Sequence, residues 1–177
     1  MQFADFVEKH GRPARLAAGQ HVFRQGDADR SVYVLRDGLL KAYYLSDDGK
    51  ETVKSFILPG EMIGSLASAW LKQGCSFNVV SLEPSSVVRI DFDTLHAASH
   101  EDLQLATAMV EHLLRFAMKK ERREREFLTE SAQERYRMLL DSSPDLFEKV
   151  TQKDIARYLG ITPVALSRIR RRGRAGS

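Results

Sequence analysis

The spacing of hydrophobic and polar residues changes about halfway along the chain. Up to residue 92, short apolar or alternating runs recur at intervals of about eight to twelve residues, which is typical of β-strands. Turns containing Gly26, Gly38, Gly49 or Gly60 separate many of these runs, and Asp-Gly between two strands is a strong hairpin signal. The pattern predicts a closed or double-sheet β-roll. The predicted strands are residues 21–23, 32–35, 39–45, 52–58, 77–82 and 87–92.

Two segments have the period of a helix instead. Residues 65–71 predict a short helix between strands, and residues 98–128 predict one long helix. One apolar stripe of the long helix, formed by Leu105, Met109 and Phe116, is expected to lie on the β-roll. The long helix also carries an apolar seam at spacings of three and four, the pattern of a coiled coil. The seam predicts contact with a second copy of the chain, through Leu103, Ala106, Val110, Leu113 and Ala117.

Eight consecutive charged residues, 119–126, follow the seam. Their mixed signs indicate a solvated continuation of the helix, because opposite charges one turn apart stabilise it. A bend is expected at residues 128–130. Ser131 and Glu134 then predict a capping box, which opens a new helix with Tyr136, Leu139 and Leu140 facing inward.

Residues 151–172 predict two further helices joined by a tight turn. Ile155, Ala156 and Leu159 form one apolar stripe, while Leu166 and Ile169 form a second. Between them, Gly160 supplies a residue that tolerates a positive φ. Thr162 is expected to cap the second helix, and Pro163 suits its first turn, where no N–H is needed.

The outward face of this last helix carries small apolar, hydroxyl and guanidinium groups. Such groups on a short exposed helix suit the reading of base edges in a DNA major groove. An ordinary helical hairpin with a solvated basic face is the alternative. The predicted DNA-contact residues are Thr151, Gln152, Thr162, Pro163, Val164, Ser167, Arg168, Arg171 and Arg172, with Arg174 expected to contact phosphate.

The net charge of +3 is distributed unevenly. Residues 151–177 hold seven Lys and Arg against one acidic residue, whereas residues 1–97 hold 11 against 12. A positive terminal segment on a near-neutral body is expected of a module that binds a polyanion.

Other residues argue against several classes of protein. No apolar run reaches membrane-spanning length, and no signal sequence is apparent, so a cytosolic protein is expected. The single cysteine, Cys75, argues against disulfides and cysteine-rich metal or iron–sulfur sites. No metal site, catalytic residue or resident cofactor is predicted. His96 and His100 are four residues apart, and the pair is interpreted as solvated; the remaining histidines are scattered.

The order of β-roll, long helix and helix-turn-helix resembles the cAMP receptor protein/FNR (Crp/Fnr) family of bacterial transcription regulators. The resemblance implies an α+β fold with a cyclic-nucleotide-binding-like jelly roll, a dimerisation helix and a winged-helix-type DNA-binding domain whose wing is reduced or absent. It places these domains at residues 1–97, 98–128 and 129–177. It also implies a homodimer on pseudo-palindromic double-stranded DNA, with an effector bound inside the roll and RNA polymerase as a further partner.

The effector pocket departs from the nucleotide-binding members of that family. Their phosphate cassette has a glutamate where Ser65 stands and an arginine where Cys75 stands. A phosphate would therefore lack its bidentate cation, so cAMP binding in the usual mode is not expected. Arg89 and Lys72 are the alternative cations. Trp70 and Phe77 could line a pocket for an apolar ligand, although aromatic residues are more often core. The pocket candidates are Gly64, Ser65, Leu66, Cys75, Ser76 and Phe77.

These patterns together predict a homodimeric, sequence-specific DNA-binding transcription regulator that senses an unidentified small molecule. The alternatives are an effector-binding module that docks on a protein partner and, less favoured, a small β-roll enzyme.

Overall fold

A computed structural model describes residues 2–175, with side-chain environments for residues 2–172. Strands and helices are both abundant, as in an α+β protein. The chain divides into two compact units, one ending at Leu114 and the other beginning at Arg115.

The first unit contains two four-stranded antiparallel sheets. One sheet has the strand order β1-β8-β3-β6, and the other has the order β2-β7-β4-β5. All six predicted strands are present, whereas the mostly exposed β1 and the short β6 were not predicted. The strands are β1 Arg12–Leu16, β2 His21–Phe23, β3 Ser31–Asp37, β4 Leu40–Leu45, β5 Glu51–Ile57, β6 Met62–Gly64, β7 Asn78–Ser81 and β8 Ser85–Asp91.

Two hydrophobic clusters lie on opposite faces of β3, because successive side chains of a strand alternate. Tyr33 and Leu35 belong to the cluster that fills the roll, together with residues of both sheets. Val32 and Val34 belong to a second cluster, in which the sheet packs against helices. The roll cluster comprises Leu16, Phe23, Tyr33, Leu35, Leu40, Ala42, Ile57, Ile63, Cys75, Phe77, Val79 and Val87.

Four helices begin in the described part of the first unit: α1 Phe3–His10, α2 Leu66–Ala69, α3 Phe92–Glu101 and α4 Leu103–Thr129. The long helix begins at Leu103 rather than near residue 98, since Asp102 adopts an extended conformation that ends α3. The Asp102 carboxylate then accepts a hydrogen bond from the Leu105 N–H at 3.0 Å and so satisfies a free donor at the start of α4. Leu105 is fully buried and Met109 packs on the same cluster, as the apolar stripe predicted. Phe116, the third residue of that stripe, belongs to the second unit, so its place on the roll stays a prediction.

The second unit contains the rest of α4 and the helices α5 Ala132–Ser142, α6 Leu146–Lys149, α7 Gln152–Leu159 and α8 Pro163–Ala175. The predicted capping box of Ser131 and Glu134 opens α5. Leu139 is buried as expected, but Leu140 is exposed. Within residues 2–175, no helix combines the length and the apolar character needed to span a bilayer.

Candidate functional site

The first candidate site is formed by α7, α8 and the turn between them. The Thr151 hydroxyl caps α7 by accepting a hydrogen bond from the Asp154 N–H at 3.2 Å. Ile155, Ala156 and Leu159 are buried, as the apolar stripe predicted. The chain therefore presents the start of α7 to solvent and buries one face of the helix.

The turn between α7 and α8 contains the left-handed glycine and the threonine cap that the sequence predicted. Gly160 ends α7 in the left-handed conformation with a φ of 70°, which costs glycine no steric strain. Thr162 accepts a hydrogen bond from the Ala165 N–H at 3.1 Å and caps α8. Leu166 of α8 is buried, so the buried and exposed faces of this helix are well defined.

The predicted contact residues share one property, which is exposure to solvent. Val164 is 61% exposed at the start of α8, and one turn later Ser167 and Arg168 are also exposed. Arg174 lies outside the residues whose side chains are described. The exposed face offers methyl groups, a hydroxyl and cations to a polar, negatively charged partner. All nine predicted residues belong to this exposed set: Thr151, Gln152, Thr162, Pro163, Val164, Ser167, Arg168, Arg171 and Arg172.

Two arginines hold the C-terminal end of α7. Arg123 donates to the Tyr158 carbonyl oxygen at 2.9 Å, and Arg135 donates to the Leu159 carbonyl oxygen at 3.1 Å. Both guanidinium groups also lie over the ring of Phe127, at 4.7 and 4.6 Å from its centroid. Cations are favourable here because the last carbonyls of a helix carry partial negative charge.

The role of Arg123 could not be read from the sequence. It lies in the charged run 119–126, which was interpreted as solvated, yet it is half-buried against the Tyr158 ring at 3.9 Å. Burial lowers the pKa of the Arg123 guanidinium, and the electrostatic interaction with the Tyr158 side chain opposes that shift. Because its partner lies 35 residues further along the chain, no local pattern marks this contact.

The second candidate site is the pair of segments at residues 64–66 and 75–77. The structure brings them together, because the Ser65 hydroxyl accepts a hydrogen bond from the Ser76 N–H at 3.1 Å. Ser65 and Cys75 are both buried. The Cys75 thiol donates to the Asp29 carbonyl oxygen at 3.5 Å, and burial raises the pKa of this thiol. Cys75 is therefore a protonated, buried thiol rather than a nucleophile.

The other candidates in these segments have different environments. Gly64 lies on β6 opposite Val32, whereas Leu66 is exposed at the start of α2. Ser76 is also exposed. Phe77 belongs to the roll core, where its ring contacts that of Phe23 at 5.4 Å. The aromatic side chain is thus used for packing.

A polar cluster beside this site was missed by sequence reasoning. Asp29 accepts a hydrogen bond from the Tyr33 hydroxyl at 2.5 Å, and the Arg89 guanidinium lies 3.7 Å from the same carboxylate. Arg89 also donates to the Ser31 hydroxyl at 2.7 Å. Burial and the bond to Asp29 raise the pKa of Tyr33. The sequence offered Arg89 as an alternative cation for a phosphate, but in the structure the Asp29 carboxylate lies next to it.

The predicted seam lies on the exposed side of the long helix. Within the first unit, Leu103 is 83% exposed, Val110 is 55% exposed and Leu113 is 48% exposed, while Ala106 is half-buried. In the second unit, Ala117 is exposed as well. Large apolar side chains at such spacing favour burial against another helix.

Comparison with known proteins places these features in a family. Residues 13–102 match the family described as the cyclic nucleotide-binding domain, which covers the strands and the start of the helical region. The chain is 30% identical to the transcriptional activator protein Anr of Pseudomonas protegens, over 96% of this chain and 72% of that protein. It is 31% identical to the regulatory protein HlyX of Actinobacillus pleuropneumoniae, over 89% and 70% of the two chains.

Solved structures share the fold at lower identity. FixK2 from Bradyrhizobium japonicum superposes with a TM-score of 0.80 at 18% identity, covering 94% of this chain and 85% of FixK2. CLP of Xanthomonas campestris, a c-di-GMP responsive global regulator, gives a TM-score of 0.72 at 16% identity, covering 98% and 90%.

Proposed function

We propose, from the premise that this chain belongs to the cAMP receptor protein/FNR family of transcription regulators, that it acts in the cytoplasm as a homodimer on pseudo-palindromic double-stranded DNA. Its relatives are named as a transcriptional activator and a regulatory protein, and the chain is not an enzyme. The α7–α8 pair is the DNA-binding helix-turn-helix of this proposal. Contact with RNA polymerase and the reduced wing stay predictions from the resemblance.

The observation that carries the proposal is the capped, exposed helix α8. Leu166 anchors one face, and Val164, Ser167 and Arg168 lie on the other. A helix that is fixed by its caps and by a buried leucine loses little further entropy when it enters a major groove. The guanidinium of Arg168 suits the two acceptors of a guanine, and the methyl groups of Val164 suit the methyl of a thymine.

The dimer is supported by the exposed seam of α4. Two copies of a helix that meet along Leu103, Val110 and Leu113 would bury apolar side chains that are exposed in one chain. A two-fold axis along such a seam makes each residue meet its own copy or a close neighbour. The two copies of α8 would then contact half-sites about 34 Å apart, one turn of DNA.

For the effector we propose a ligand other than cAMP in its usual pose. Ser65 and Cys75 contribute a hydroxyl and a protonated thiol, and neither supplies a cation. Arg89 has Asp29 beside it, so an incoming phosphate would meet a carboxylate as well as a guanidinium. The local charge therefore disfavours an anionic ligand at this point.

A selection experiment followed by binding measurements tests the proposal. Duplexes selected from a random pool by the full chain should contain a two-fold symmetric consensus. In Arg168→Ala, discrimination at one base pair of each half-site should fall by about 1–3 kcal/mol. Arg172→Ala should weaken binding to all sequences alike, as the loss of a phosphate contact does. Arg122→Ala, an exposed arginine on α4, is the matched control and should change neither.

The alternative is that the basic face docks on a protein. Binding to random duplex DNA separates the two, since phosphate contacts give a steep negative slope of log affinity against log salt. A flat slope, or an unchanged consensus with Arg168→Ala, would contradict DNA reading by this face of α8.

A further inference from the structure

Four aromatic rings, those of Trp70, Phe92, His96 and His100, contact one another beside α3, one pair stacked and the others edge-on. Phe92, His96 and His100 are four residues apart on α3, so they lie on the same face of the helix. The ring of His96 stacks on Phe92 at 5.7 Å and meets Trp70 edge-on at 5.2 Å. Trp70 also contacts Phe92, at 6.3 Å. The proposed function uses none of these four rings.

The two imidazoles approach each other through their nitrogen atoms. Nε2 of His96 lies 3.3 Å from Nε2 of His100, and the ring planes are nearly perpendicular, at 87°. Two of the other histidines have different partners, since His10 stacks on Phe6 and His21 bonds to Tyr43. At this distance one ring nitrogen can donate a hydrogen bond to the other, with the roles set by the tautomers of the two rings.

We propose that His96 and His100 form a bidentate site for a divalent ion of the late first-row transition metals, such as Ni²⁺, Cu²⁺ or Zn²⁺. Imidazole nitrogen bonds zinc at 2.0–2.1 Å, and the edge of a tetrahedron of that size is about 3.3 Å. The separation of the two Nε2 atoms equals that edge. An ion at this position would use one lone pair from each ring, with the ring protons at Nδ1.

Neighbouring side chains restrict the ring of His96 more than the ring of His100. Phe92 and Trp70 contact the His96 ring, which limits its rotation before an ion arrives and lowers the entropy lost on binding. His100 is exposed at the last turn of α3. Rings held by neighbouring side chains make better ligands than freely rotating ones, because orientation determines ligand strength.

The number and type of ligand atoms determine which metal ions the site binds. Within the part of the chain whose side chains are described, no third His, Cys, Asp or Glu completes a metal-binding group. Asp93 is bonded to Arg30 at 2.5 Å and is committed to that ion pair. Water must therefore fill the remaining positions. Two imidazoles favour Cu²⁺, Ni²⁺ and Zn²⁺, whereas Mg²⁺ and Ca²⁺ prefer oxygen ligands.

Trp70 makes the proposal directly measurable. It is the single tryptophan of the chain, and its ring centroid lies 5.2 Å from that of His96. Tag-free full-length protein is titrated with NiCl₂ while tryptophan fluorescence is recorded. We expect saturable quenching that EDTA reverses and that ZnCl₂, which does not quench, competes away; MgCl₂ should have no effect.

Variants separate ligation from folding. His96→Phe keeps a ring against Trp70 and Phe92 but removes the first ligand. His100→Gln removes the second ligand and leaves the contacts among Trp70, Phe92 and His96 in place. Each should weaken apparent Ni²⁺ binding at least about tenfold, a loss that even indirect partners of a metal site can cause. His112→Gln, on α4, is the control and should bind as the unaltered chain does.

Saturable quenching that survives in both His96→Phe and His100→Gln would overturn the proposal, as would quenching that rises linearly without saturation. Circular dichroism of each variant shows whether folding is retained. If a histidine variant fails to fold, the competition between ZnCl₂ and NiCl₂ on the unaltered chain still decides whether a defined site exists. DNA binding is not part of the readout, so failure here leaves the proposed function untouched.

Discussion

Gly160 lies so close to Phe127 that a methyl group added to the glycine would be 2.8 Å from Cε1 of the ring. The guanidinium groups of Arg123 and Arg135 both lie over this phenyl ring. The turn after α7 and the C-terminal part of α4 are thus fitted to each other inside the second unit. This close fit gives the turn a second reason for glycine, besides its positive φ.

Gly160→Ala should destabilise the second unit by more than the left-handed conformation alone costs, about 1–2 kcal/mol. Gly49→Ala is the matched control, because Gly49 has a φ of +79° but nothing within 4 Å of the added Cβ. Urea unfolding followed by circular dichroism measures both changes. Equal losses of unfolding free energy would show that Phe127 moves aside freely.

Arg123→Lys should lose about 1–3 kcal/mol of unfolding free energy, nearly as much as Arg123→Ala. Lysine keeps the charge but lacks the planar group that stacks on Tyr158 while donating to its carbonyl oxygen. The neighbouring exposed Arg122 is the control, and Arg122→Ala should change stability by less than about 0.5 kcal/mol. An unchanged free energy of unfolding in Arg123→Lys would mean that the positive charge alone accounts for the contribution of Arg123.

Val110→Glu should convert the proposed dimer to a monomer, because like charges would meet across the two-fold axis. Gln104→Glu adds the same charge to α4 on a different face of the helix and should leave the dimer intact. Sedimentation equilibrium distinguishes the two species. A Val110→Glu chain that still sediments as a dimer would place the interface elsewhere.

Calorimetry with cAMP or cGMP should detect no binding at micromolar concentration. The double variant Cys75→Arg and Ser65→Glu supplies the missing guanidinium and carboxylate and should gain weak cAMP binding. Ser65→Glu alone is the control. It removes the hydroxyl that accepts a hydrogen bond from the Ser76 N–H without adding a cation, so calorimetry should detect no cAMP binding. Micromolar binding by the unaltered chain that disappears in Arg89→Ala would show that Arg89 serves as the phosphate partner.

His21 should make the first unit less stable as the pH falls below 6.5. Burial, followed by the charges of Arg24 and Lys41, lowers the pKa of His21 from 6.5. The unfolded chain therefore takes up its proton first, so the stability present above pH 6.5 is lost as the pH falls towards the folded pKa. Nearby Asp27 acts in the opposite direction but less strongly.

Thermal melts between pH 5 and 8 check this expectation. His21→Gln should remove the part of the pH dependence that begins at pH 6.5. Tyr43→Phe is the control, since it removes the 2.8 Å hydrogen bond to His21 but keeps the burial and the neighbouring cations. An identical pH profile in His21→Gln and the unaltered chain would exclude His21 as the cause.

Local chemistry allowed much of the second unit to be predicted. Thr151, Gly160 and Thr162 act within a few residues of their own positions, as caps or as a left-handed turn. The strands were visible for a similar reason, because alternation along one strand reports which face is buried. The start of α4 was misplaced by a few residues, because the extended Asp102 interrupts a periodic apolar pattern without breaking it.

The sequence by itself determined most of the elements, the caps of α5, α7 and α8 and the exposed basic face of α8, because each depends on residues at most about four positions apart. Only the tertiary structure brought Ser65 to Ser76, Arg89 to Asp29 and Arg123 to Tyr158. These contacts join segments 11 to 60 residues apart in the chain, and they depend on how the strands pair and the helices pack. No local period encodes that pairing, so the charge balance of the effector site and the anchoring of α7 became visible only once the chain was folded.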